Sequence, residues 1–105
     1  RLFTEKIIAS LPDVIITSND LIAQGIISAA HENGINIPND MQITGFDDSL
    51  SSAYFIPSVT TVSQNIDKLA KRCFSMLMDL INKKSAVSSI IEQNIIARNS
   101  AKIKQ

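Results

Sequence analysis

The sequence predicts an α/β fold built on a parallel sheet, and three observations carry that expectation. β-like and α-like segments alternate along most of the chain, and turn residues separate them. The first strand candidate is a short β-branched run of the kind that lies between helices in parallel sheets. With 105 residues the chain has the size of one domain with one modest core. Forty-five per cent of the residues are apolar and 19 per cent charged, which excludes disordered, collagen-like and coiled-coil classes.

Leu2, Phe3, Ile7, Ile8 and Leu11 recur near helical spacing and Pro12 stops them, so the chain opens on the tail of a helix. Asp13 to Ser18 reads as a first strand, apolar enough to be buried on both faces. Asn19 or Asp20 can cap the helix that follows, whose apolar positions Ile22, Ile26, Ala29 and Ala30 keep to one face and which Gly34 ends. After the Pro38-Asn39-Asp40 turn, Met41 to Phe46 reads as a second strand. Such a βαβ unit crosses over right-handedly, which makes its strands parallel neighbours.

Ser49 to Ser58 is an irregular connection with room for one helical turn, and Val59 to Ser63 is β-prone. Asn65 can cap the most amphipathic helix of the chain, with Ile66, Leu69, Ala70, Cys73, Leu77, Leu80 and Ile81 in one stripe. Asp67 in its first turn and Lys83-Lys84 at its end suit the helix dipole. Ser85 to Ser89 is a polar break, and Ile90 to Ala97 alternates as a last strand does.

Ten Lys plus Arg balance ten Asp plus Glu, and a neutral chain with no basic block is a poor ligand for a phosphate backbone. Any DNA contact is expected outside it. Cys73 is the single cysteine and has no internal disulfide partner. On the apolar stripe it reads as a small buried thiol, and His31, the one histidine, as a surface residue. No apolar run approaches the roughly 18 residues that span a bilayer. The start lacks both a signal peptide's apolar core and an initiator Met, so the chain reads as part of a longer one.

Ligands of open parallel sheets sit beyond the carboxyl ends of the strands. Strands about 4.8 Å apart bring Asn19 and Asp47 to one rim. Asn supplies donor and acceptor, and an ionised Asp accepts two or more donors, a combination suited to a sugar or a nucleobase. The same residues also read as helix caps and a turn. Asp47-Asp48 admits a Mg²⁺ or phospho-acceptor reading as well, although no other carboxylate stands at a strand end. No nucleophile has a partner base.

Several motifs, in order, resemble the C-terminal part of the lactose-repressor (LacI/GalR) family of regulators. They are Pro12-Asp13 with Ser18-Asn19-Asp20, Gly34-Ile35 with Ile37-Pro38-Asn39-Asp40, Ile43-Thr44-Gly45-Phe46-Asp47-Asp48, and Pro57 with Thr60-Thr61-Val62-Ser63-Gln64. Arg98-Asn99-Ser100 looks like that family's closing Arg-x-Ser. The resemblance implies a Rossmann-like, three-layer α/β lobe of a periplasmic-binding-protein-like fold. It places most of the C-terminal lobe in residues 1–64, a helix that packs on the other lobe in 65–84, and a final crossover, strand and tail in 85–105.

By the same resemblance, Asn19 and Asp47 contact a small-molecule effector, a sugar or nucleobase, with Gln64 as a weaker third. Gln24, Ile27 and Phe55 map to a dimer face. The function implied is effector sensing by a cytoplasmic transcriptional regulator. It is not an enzyme, needs no cofactor or metal, binds no membrane, and reaches operator DNA through a helix-turn-helix headpiece outside this chain. The alternative is a periplasmic-type sugar-binding protein of a transport system. The stripe from Ile66 to Ile81 lacks its lobe here, so the chain is expected to form a homodimer, exchanging the helix or last strand between copies.

Overall fold

The computed structural model describes residue 5 and residues 9–102. The opening helix tail expected from Leu2 to Leu11 lies largely outside them. β1 (Val14–Ile16) and β2 (Gln42–Thr44) pair in parallel, with Ile15 opposite Ile43. The ladder runs one residue further at each end, because Thr17 N–H donates to Thr44 O and Gln42 N–H to Asp13 O, both at 2.9 Å. Between the strands runs α1 (Asp20–Glu32), so the βαβ unit is present.

Both ends of α1 follow from single residues. Asn19 Oδ1 accepts the Ile22 N–H at 2.9 Å, satisfying an amide the first turn would otherwise leave open. At the other end Ile35 N–H returns to Ala30 O and Gly34 N–H to His31 O, at 2.9 and 3.1 Å. That pairing demands a left-handed residue, and Gly34 supplies it at φ 72°.

A further strand lies along the other side of β2. Thr44 bridges Thr60 in parallel, Gly45 N–H donates to Thr60 O at 2.8 Å and Asp47 N–H to Val62 O at 3.0 Å. This chain continues as β3 (Thr61–Ser63), which pairs antiparallel with β4 (Asn94–Ile96), Val62 opposite Ile95. The connection from β2 holds α2 (Leu50–Tyr54), the helical turn anticipated there.

Where β2 and the 58–60 segment do not bond directly, Ser100 stands between them. Its N–H donates to Ser58 O and its C=O accepts from Ile43 N–H, both at 2.9 Å. Its hydroxyl donates to Ile43 O at 2.6 Å and accepts from Thr60 N–H at 2.8 Å. The core sits beneath: Ala23, Ile27 and Ala30 of α1 meet Met41, Ile43 and Val59, with Ile15 and Phe55 against them. Each large apolar side chain so buried contributes about 1.5–3 kcal/mol.

Four expectations need correction. β1 is not covered on both faces: Ile15 packs on the core, whereas Ile16, which alternation turns the other way, is 80% exposed. Cys73 is exposed rather than buried. It lies on α3 (Ile66–Ile81), which follows the expected stripe but has no buried residue, so the thiol has nothing to be buried against. Asn65 does not cap α3 with its side chain; it sits in a left-handed conformation at φ 52° and its amide donates to Glu92 O. His31 is exposed, as expected. β4 is shorter than the run Ile90 to Ala97 predicted: residues 90–93 are outside the strand, and the Asn65 amide occupies Glu92 O there.

Candidate functional site

β2 delivers its chain to the carboxyl rim of the sheet, where Asp47 and Asp48 take left-handed backbone conformations in succession, at φ 104° and 53°. Non-glycine residues adopt such values at a cost of about 1–3 kcal/mol each, so the turn persists because its surroundings hold it. Asp47 Oδ1 accepts from Gln64 Nε2 at 2.7 Å. Asp48 Oδ1 pairs with Arg98 at 2.6 Å, and the same guanidinium donates to Val59 O at 3.0 Å. Residue 98 thereby fastens the last segment of the chain to the turn.

An open depression of about 390 Å³ lies beside this turn, lined by Asp47, Asp48 and Ser63 and by residues 65–68 at the start of α3. Asp47 is exposed at its edge and the lining is mostly polar. Among the described residues no group of three or more His, Cys, Asp or Glu could hold a metal ion. What the depression offers is acceptors from Asp47 and Asp67, an ammonium from Lys68 and small hydroxyl or amide groups from Ser63 and Asn65. That set matches a small polar molecule carrying several hydroxyl groups.

Of the residues singled out from the sequence, the structure brings Asp47 and Gln64 into direct contact. Neither Gln64 nor Asn19 is among the residues that line the depression, and Asn19 is linked to the rim through its neighbour Asp20, whose N–H donates to Phe46 O at 2.9 Å. The Asn19 Oδ1 is committed to the helix cap, which leaves Nδ2 as the donor of that side chain. Gln24 and Ile27 face inward. Gln24 donates to Ser51 Oγ and Ser52 Oγ at 2.9 and 3.2 Å, and Ile27 is 2% exposed. Phe55 is half-buried against the core, and the exposed apolar surface beside it belongs to Tyr54 and Ile56.

Sequence reasoning missed the groups that hold the rim. Asp20, expected as a cap, is 1% exposed and lies under the turn. It accepts from Thr61 Oγ1 at 2.5 Å and from Ser49 N–H at 2.7 Å. Burial pushes its carboxyl pKa up, but hydrogen bonds from Thr61, Ser52 and Ser49 together outweigh it, and the net shift is downward. The signal available in sequence was the acidic residue directly after the cap, with Thr61 and Ser49 inside or beside recognisable motifs.

A pH dependence follows. The unfolded carboxyl titrates near 3.9, above its folded value, so the stabilisation from Asp20 is complete above about pH 4 and fades as pH falls through the folded pKa. Urea midpoints measured between about pH 5 and about pH 3 are expected to drop on acidification, and Asp20→Asn to flatten that dependence. An unchanged slope in the variant would assign acid loss to other carboxylates.

A parallel α/β lobe with a polar depression at its carboxyl rim has its open site where folds of this kind take ligands. The sequence matches the periplasmic binding protein-like domain over residues 1–101, and the chain belongs to that family. The HTH-type transcriptional repressor PurR of Pasteurella multocida is 36% identical over 101 residues, 92% of this chain and 30% of the relative. A LacI-type transcription regulator from Bifidobacterium animalis subsp. lactis matches with a TM-score of 0.86 at 29% identity, over 95% of this chain and 37% of the other. A periplasmic binding protein/LacI transcriptional regulator from Alkaliphilus metalliredigens, complexed with D-xylulofuranose, gives 0.85 at 30% identity, over 95% and 38%. The chain is therefore a LacI/GalR-type effector-binding domain fragment, spanning about a third of the length of these proteins.

Proposed function

We propose that this chain supplies one lobe of the ligand-binding domain of a cytoplasmic LacI-type transcriptional regulator, with a sugar as effector. The observation that carries the proposal is the strained Asp47 held at the edge of the polar depression with Gln64 hydrogen-bonded to its carboxylate. A carboxylate beside an amide accepts and donates to neighbouring hydroxyl groups of one sugar ring, and Asn19 Nδ2 adds a donor from α1. The repressor name of one relative and the D-xylulofuranose bound to one structural neighbour support the same reading.

The function asks for no catalysis. A ligand that binds one relative placement of two lobes better than another shifts the population toward it, and the operator affinity of a linked headpiece changes with it. The test is calorimetry on the longer parent protein against a panel of pentoses and hexoses. For the sugar that binds, Asp47→Gly removes the carboxylate and relieves the positive φ. It is expected to weaken binding by about tenfold to a hundredfold, the worth of a hydrogen bond to a charged group. Affinity unchanged from the parent's in both Asp47→Gly and Asn19→Ala would reject the site.

A further inference from the structure

Three successive amides of the rim turn each grip a group outside the turn. Asp47 N–H donates to Val62 O at 3.0 Å, Asp48 N–H to Thr61 Oγ1 at 3.3 Å and Ser49 N–H to Asp20 Oδ2 at 2.7 Å. Two of the three therefore end on Asp20, one directly and one through Thr61. The geometry points to Asp20 as a positioning residue for the ligand site: its buried carboxylate, reached through Thr61 and Ser49, keeps Asp47 and Asp48 in their left-handed conformations and so aims Asp47 at the depression. This rests on the reading of that depression as the ligand site.

The chemistry of one hydroxyl proton carries the step. Thr61 Oγ1 has a single proton and gives it to Asp20 Oδ1 at 2.5 Å. Its lone pairs are then the only groups it can present to the Asp48 N–H. An ionised Asp20 thus sets the direction of the Thr61 hydroxyl, and the hydroxyl sets the turn. The carboxylate cannot drift, because Gly45 lies flat against it: a Cβ there would stand 2.1 Å from Asp20 Oδ1. Asparagine at position 20 keeps the shape but not the charged acceptor for both donors. With its NH₂ toward Ser49 two donors face each other, and with its NH₂ toward Thr61 the hydroxyl no longer donates to residue 20 and must turn its proton away while accepting on both lone pairs.

The test reads the turn itself, with no ligand, by amide hydrogen exchange in the ¹⁵N-labelled chain. Asp20→Asn and Thr61→Val are expected to speed exchange at residues 47–49 by about tenfold more than at the α1 amides, which report the rest of the lobe. Thr61→Ser, which keeps the hydroxyl, is expected to leave residues 47–49 as they are. Should Asp20→Asn not fold, the Thr61 pair alone decides. Acceleration by one factor throughout the lobe, or equal behaviour of Thr61→Val and Thr61→Ser, would overturn the assignment. Sugar binding by the parent protein left unchanged in these variants, with this exchange pattern observed, would count instead against the ligand reading.

Discussion

Gly45→Ala is expected to destabilise the chain by about 3 kcal/mol or more, the combined result of overpacking and a broken buried polar network. A Cβ at this position would lie 2.1 Å from Asp20 Oδ1 and 3.1 Å from both the Cγ and the Cα of Asp20. Turning the carboxylate aside does not clear the space, because the Cα belongs to the first residue of α1. It also surrenders the bonds from Thr61 and Ser49. The glycine is required by space and not by its dihedral angles, since Gly34 alone among the glycines has a positive φ. Gly25 is the natural control: a Cβ there meets nothing within 4 Å, and alanine in a helix interior gains up to about 1 kcal/mol over glycine. Urea midpoints of the two variants are expected to move in opposite directions; a Gly45→Ala midpoint equal to that of the parent would sink the close-approach account.

Ser100→Ala is expected to cost about 2–4 kcal/mol, because it strips partners from two buried backbone groups at once. The hydroxyl is fully buried and spans Ile43 O and Thr60 N–H. Water has no access there to replace it. Ser58 provides the contrast: its hydroxyl accepts from Asn99 N–H at 3.3 Å in an exposed position, and Ser58→Ala should stay within about 0.5 kcal/mol of the parent. Similar losses in both would mean that the Ser100 hydroxyl is no more than a surface contact.

The elements set by local chemistry were readable from the sequence. Asn19 caps α1, Gly34 ends it through its left-handed φ, and the βαβ unit brings its strands together in parallel. Each depends on residues within a few positions of one another, which is where propensity and periodicity act. Asn65 shows the limit: its side chain had a cap as a local option, yet it serves Glu92, 27 residues away. Cys73 shows another, because a periodic stripe tells which residues share a face and not whether anything covers that face.

The site divides in the same way. Asp47 was legible as an acidic residue at a strand end. Its contact with Gln64 was not, because it depends on how the segment after β3 returns to the rim. Asp20 was hidden for the opposite reason: beside a good cap it looks redundant, and only the tertiary arrangement turns its carboxylate inward under the turn.

Ser100 also sets the order of events during synthesis. Its hydroxyl joins Ile43, 57 residues earlier, and Thr60, 40 residues earlier, while Arg98 reaches back 50 residues to Asp48. A ribosome adds about 5–20 residues per second, so roughly 2 to 8 s separate the appearance of Thr60 from that of Ser100. Through that interval the central seam of the nascent sheet stays open and the rim turn lacks its guanidinium. The lobe can gather its core early, but the rim turn is complete only once residues 98–100 have been made.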